Sequence, residues 1–247
     1  MGFTKPGKLL TIIIGVNVAT YIVYLLLLRA GAAWVQDLRL TPQNVFEQGY
    51  LWQPLTYLLL HAPQSPGHLL WNMLLLYMFG TTLESWWGEK RFATAYVVFG
   101  LSGAALVMLM GVLGKFGILS SFLELLYQTP HLGASASVMG IMAAWGIVHA
   151  DRSMNFFLLG EMKGMTFVMI IIAVELLRAL SFDNVSSTAH FGGIIGAFVL
   201  CKGLWRPGQL SGFFKRSALK KKRRDLEKQL RVIKGGKEED DDKMKWN

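Results

Sequence analysis

Three short segments carry the side chains best suited to chemistry. His68 and Asn72 stand four residues apart, the run Gly133-Ala134-Ser135-Ala136-Ser137 sets two serines behind a glycine, and Ala189-His190 is followed by Gly192, Gly193 and Gly196. The reaction such a set fits is acyl transfer. A serine hydroxyl is a weak nucleophile until an adjacent base takes its proton, and His190 suits that task near neutral pH. Gly133 allows close backbone approach, and N–H groups at a helix start can receive a developing oxyanion. His68 and Asn72, at i and i+4, share one helix face and offer side-chain donors. At the outer end of its helix His190 has no acidic neighbour except Asp183, seven residues earlier. A dyad is therefore expected rather than a triad.

The elements that must position these groups follow from composition. Hydrophobic residues are 53% and charged residues 17% of the 247, with a mean hydropathy of +0.38, well below the ~25% charge of ordinary soluble domains. The net charge of +9 is local. Residues 1–201 hold 10 Lys/Arg against 9 Asp/Glu, while residues 202–247 hold 15 against 7. A compact nucleic-acid-binding domain is thereby excluded, and the single Cys201 excludes an intramolecular disulfide or a cysteine-rich metal cluster. Crossing a bilayer takes about 20 mostly apolar residues. Six stretches qualify or come near: 9–28, 68–82, 92–113, 133–150, 165–182 and 188–205. The first competes with a signal peptide cleaved near Ala30-Gly31-Ala32, but its length favours a retained span. The fold class expected is an all-α polytopic membrane bundle of six spans over 1–205, followed by a tail at 206–247. Residues 30–66 read as a loop on the membrane surface, and residues 114–132 as a second loop with a short amphipathic stretch.

Lys5, Lys8, Lys90, Arg91 and the basic tail fall on one side of a six-span chain, which the positive-inside rule makes cytoplasmic. The second, fourth and sixth spans then enter from the outer face. His68, Asn72, the serines and His190 all lie within about two turns of those entry points, ~10 Å of depth. Each piece alone has a packing explanation: Gly-x-Ser and small residues around a histidine are common at helix contacts. Their matched depth and order favour catalysis.

The same residues resemble the rhomboid intramembrane serine proteases. The likeness covers residues 51–200: Trp52-Gln53-Pro54-Leu55-Thr56-Tyr57 with His61, then His68-Leu69-Leu70-Trp71-Asn72, then Phe79-Gly80 with Glu84, Gly88 and Arg91-Phe92. It ends with Gly133-Ala134-Ser135 and Ala189-His190-Phe191-Gly192-Gly193. The resemblance implies a six-helix bundle whose water-accessible cavity opens to the outer face. It makes Ser135 the nucleophile, His190 the general base, and His68, Asn72 and the Ser135 N–H the oxyanion hole. Gly133, Ala136, Met139 and Gly193 would support the site. Substrates would be single-span membrane proteins cut in or near the bilayer, with the fifth span as a lateral gate and no metal or cofactor.

The departures are Ala136 where the family has glycine, Gln53 where many members have arginine, and Met139 where an aromatic often supports the base. Ser137 is by register a neighbour of the nucleophile. Glu175 and Arg178, at i and i+3, are expected to pair with each other more than to gate. Glu84 should cap or tie a cytoplasmic turn by hydrogen bonds rather than do chemistry, His131 should lie at the surface rather than reach the site, His149 should lie on the cytoplasmic side, and His61, His68 and Glu84 do not make a zinc site. The rival functions are a proteolytically silent rhomboid-like protein that binds or escorts membrane clients, and a small transporter or channel. Retention of all four polar residues opposes the first, and their clustering at one end opposes the second. The segment 215–231, with Leu219, Leu226 and Leu230 as a partial apolar stripe, should meet anionic lipid headgroups, and 238–242 is an acidic tip.

Overall fold

A computed structural model describes residues 5–118, 121–156, 160–180, 184–203 and 226. The chain divides into two units, Met1–Cys201 and Lys202–Asn247, and the elements below belong to the first. The basic segment 215–231 and the acidic run 238–242 lie outside the described residues, apart from Leu226, which is helical and exposed.

Each of the six apolar stretches is mainly helical over its described residues. Helix α1, Lys8–Arg29, carries no charge between its ends and leaves Ile12, Val16, Ile22, Val23 and Leu26 exposed, an apolar surface of the kind lipid covers. The connection that follows is more structured than a plain loop. It holds a 3-10 turn at Ala33–Leu38, α2 at Pro42–Gln48, α3 at Gln53–Thr56 and a second 3-10 turn at Tyr57–Leu59. Helix α4, Pro66–Trp87, starts with proline in the first helical position, where its missing N–H costs nothing, and stops at Gly88, whose φ of +75° favours glycine. The same residue opens α5, Glu89–Lys115. Short α6, Ser121–Gln128, precedes α7, Ser135–Val148. Helices α8, Gly164–Leu180, and α9, Asn184–Cys201, complete the unit. By length and composition α1 and α5 can cross a membrane; α7 and the Ser187–Cys201 part of α9 are apolar but shorter.

Helix α7 is the axis, packed against α4, α5, α8 and α9. From Ala136 to Ile147 only Met139 is not fully buried. Its alanines and glycines make that possible: a Cβ on Gly140 would meet the Phe99 ring at 2.5 Å, and one on Gly146 would stand 2.8 Å from the Gly164 carbonyl oxygen. Trp145 fills the centre between Phe79 and Phe167, with ring centroids 5.3 and 6.0 Å away.

Two expectations change, the all-helical body and the place of His131. The body is helical, but an antiparallel hairpin of β1, Ser153–Phe156, and β2, Gly160–Lys163, joins α7 to α8; outside a helix the backbone N–H and C=O groups need other partners, and the two strands supply them to each other. His131 is 4% exposed rather than at the surface, because its N–H and carbonyl pair with Leu40 at 2.7 and 2.9 Å and draw it inward. Glu84 does its tying at a helix start: its Oε1 accepts from the N–H groups of Leu9 and Leu10, both 3.1 Å away, which α1 cannot satisfy within itself. His149, at the end of α7 away from Ser135, donates through Nδ1 to the Trp145 carbonyl at 2.8 Å and stacks between Trp145 and Trp86.

Candidate active site

Ser135 is the first residue of α7, so its N–H and those of the next two residues lack partners inside the helix. Gly133 delivers the chain to that point with φ +133°, and its N–H donates to the Tyr57 carbonyl at 3.0 Å. A Cβ on Gly133 would lie 2.9 Å from His68 Cε1, 3.3 Å from His68 Nε2 and 3.5 Å from Ser135 Oγ. Glycine is therefore required twice there, for its backbone angle and for the gap between imidazole and hydroxyl. His68, in the first turn of α4, faces that gap. Asn72, one turn on, is buried with its Nδ2 amide lacking a hydrogen-bond partner, which leaves a donor in reserve.

The approach of α9 to α7 rests on small residues. A Cβ on Gly193 would overlap the Ala136 carbonyl oxygen, and one on Gly103 would stand 2.5 Å from Ala136 Cβ and 2.9 Å from the Ala189 carbonyl oxygen. Ala136 follows Ser135 and Ala189 precedes His190, so this contact brings the serine and histidine positions onto facing turns. Ala136 is fully buried, its methyl group packed toward Gly103 of α5. Met139 is half-buried at the edge of the main core.

His190 is 5% exposed. Its Nε2 is buried without a hydrogen-bond partner, so no hydrogen bond joins it to Ser135 in this state; in substrate-free sites that bond is often long. Its Nδ1 lies 2.9 Å from Glu175 Oε2 on α8. Glu175 pairs with Arg178 as expected, Nη1 lying 3.6 Å from the other carboxylate oxygen, but one expectation is corrected: His190 does have an acidic partner, and it is Glu175. Asp183, the residue considered for that place, lies outside the described residues. Ser137, by contrast, points away: fully buried, it donates to the Tyr96 carbonyl at 2.7 Å.

The surrounding loop is held by buried polar contacts. Tyr57 donates to the Gly100 carbonyl at 2.6 Å, and burial pushes its phenol up from the usual value. Gln53, where many rhomboids have arginine, is fully buried; it accepts from the Thr41 N–H and donates to the Asp37 carbonyl, each at 2.9 Å. A neutral amide that makes one bond of each kind fits this pocket as a guanidinium, which only donates, does not. His61 lies edge-on to His68, centroids 5.3 Å apart, and burial, helped by the charge His68 can carry, pushes it down to about 4.

Comparison with known proteins accords with these features. A rhomboid domain matches residues 48–207. The chain is 29% identical over 165 residues to "Rhomboid protease GluP" of Bacillus subtilis, covering 66% of this chain and 28% of that protein. It is 30% identical over 158 residues to "RHOMBOID-like protein 7" of Arabidopsis thaliana, covering 64% of this chain and 44% of that one. It thus spans less than half the length of either relative. With the domain matched over more than half its length, and with α1 and α5 fit to cross a bilayer, the chain belongs to the rhomboid family of integral membrane proteins.

Proposed function

We propose that the chain is an intramembrane serine endopeptidase that cleaves transmembrane protein substrates in or near the bilayer. The observation that carries this is the convergence at the start of α7: Ser135 Oγ and His68 Nε2 flank one gap beside Gly133, and buried His190 keeps Nε2 unpartnered. Ser135 Oγ attacks the scissile carbonyl as its proton passes to His190 Nε2. The carbonyl oxygen takes up negative charge beside the Ser135 N–H, His68 and Asn72, which act as its donors. His190 then gives the proton to the departing amine, leaving an acyl-enzyme that water hydrolyses by the reverse relay. Relatives named as proteases support the reaction class.

In this reading all six long helices span the membrane, both ends of the chain are cytoplasmic, and the site opens on the outer side with α8 as the lateral gate. The basic tail meets anionic lipid headgroups.

Cleavage of a single-span reporter by the protein in lipid vesicles, lost in Ser135→Ala, is the expected result; equal cleavage by both forms would sink the assignment. A fluorophosphonate should label Ser135 and fail to label His190→Ala.

A further inference from the structure

A carboxylate taken out of water costs several kcal/mol unless its partners compensate. Glu175 is 2% exposed, on a stretch of α8 where Ala173, Val174, Leu176 and Leu177 are all exposed. Arg178 is a poor reason for that burial, since its side chain is 44% exposed and its nitrogen 3.6 Å away, the arrangement of a screened surface pair. The buried partner is His190 Nδ1 at 2.9 Å. An ionised carboxylate only accepts, so Nδ1 must carry the hydrogen and Nε2 keeps its lone pair. That is the tautomer able to take a proton from a serine hydroxyl, and the lone pair is on the nitrogen left without a partner.

We infer that Glu175 is a positioning residue for His190, turning the proposed Ser135–His190 pair into a Ser–His–Glu triad whose acid is supplied by α8. The inference rests on the protease reading above. In acylation the bond from Ser135 Oγ to the carbonyl carbon forms, the carbonyl π pair moves to oxygen, and the Oγ proton passes to Nε2. The imidazolium is then stabilised by its Nδ1–H bond to the Glu175 carboxylate, with the new proton on Nε2. Cleavage of the C–N bond sends the Nε2 proton out with the amine. Glu175 stays ionised throughout, giving orientation and charge and taking no proton.

The test uses the full chain in lipid vesicles with a single-span reporter. Glu175→Gln keeps the shape, removes the charge and lets an amide either donate to Nδ1 or accept from it. The expected result is a fall in kcat of about 10²- to 10⁴-fold, with KM within about threefold, as for an interaction made chiefly in the transition state. Glu175→Asp should recover part of the loss. The ring is read directly by nitrogen-15 NMR of histidine-labelled Ser135→Ala protein at pH 8, with His190→Gln assigning the signal: Nδ1 should be protonated with Glu175 present and only partly so in Glu175→Gln. An Nε2-protonated His190 with Glu175 in place overturns the inference even if Glu175→Gln does not fold, and so does an unchanged kcat in Glu175→Gln. Cleavage surviving in Ser135→Ala overturns the protease reading instead, so the two failures are separate.

Discussion

The closeness of α9 to α7 is set by one absent side chain, and restoring it is a quantitative test of the site. In Gly193→Ala the new Cβ would overlap the Ala136 carbonyl oxygen and lie 2.8 Å from its carbonyl carbon and 3.3 Å from its Cα. Ordinary carbon contacts fall at about 3.5–4.0 Å, so α9 must withdraw by roughly 1 Å at this level. The partner atoms are backbone and cannot rotate away. Overpacking of this kind costs about 1–3 kcal/mol of stability. His190 lies one turn before Gly193 on the same helix face, and Ser135 directly precedes Ala136, so the same displacement opens the serine–histidine gap. A misplacement of about 1 Å can cost on the order of 10²-fold in rate, and that is the expected fall in kcat/KM for a single-span reporter in vesicles. Gly103→Ala supplies a contrasting clash, with Ala136 Cβ at 2.5 Å and the Ala189 carbonyl oxygen at 2.9 Å. Adding Ala136→Gly removes the first of those contacts and should restore part of the activity of Gly103→Ala, but none of that of Gly193→Ala. Gly15→Ala, with open space around its Cβ, is the control. Near-wild-type activity in Gly193→Ala, or equal rescue of both variants by Ala136→Gly, would refute the packing argument.

Two further outcomes follow from buried polar groups. His61, pushed down to about 4 in the folded chain from an ordinary ~6.5, is neutral in both folded and unfolded states above that range. As pH falls below ~6.5 the unfolded chain gains the proton first, so stability present at neutral pH is lost progressively down to about pH 4, by roughly 2 kcal/mol at pH 5. Unfolding midpoints of wild type and His61→Phe across pH 8 to 5 check this, and parallel curves would contradict it. Glu84→Ala strands the Leu9 and Leu10 N–H groups bonded at 3.1 Å, costing about 1–3 kcal/mol. Reporter cleavage measured below the unfolding temperature should stay within about twofold, since Glu84 lies at the far end of α4 from His68.

The sequence carried the long helices plainly because each is an apolar run, and it carried the polar layer because each polar residue stands near a helix start. The small residues after His190 were legible as contact chemistry, and Gly192 and Gly193 do meet the backbones of Gly103 and Ala136. What was not legible was backbone pairing outside the helices. The Leu40–His131 bridge joins two loops that no periodicity relates, so a histidine outside any helix read as a surface group. The β1–β2 hairpin has too little apolar alternation to announce itself.

The contact of Glu175 with His190 was missed for a different reason. At i and i+3 from Arg178, Glu175 had a ready partner on its own helix, and a pair that closes locally discourages the search for another. Two structural arguments point past it. Antiparallel helices joined by a short connection face each other at positions similarly far from the turn, and with α8 ending at Leu180 and α9 starting at Asn184, Glu175 and His190 lie at nearly matching positions. The energetics run the same way: an exposed arginine repays little of the cost of burying a carboxylate, because water already screens it. A buried imidazole N–H at 2.9 Å repays more, since its bond strengthens in the same low dielectric that penalises the bare charge. The carboxylate is thus better explained by the histidine it orients than by the arginine beside it, and the i, i+3 spacing is the weaker clue of the two.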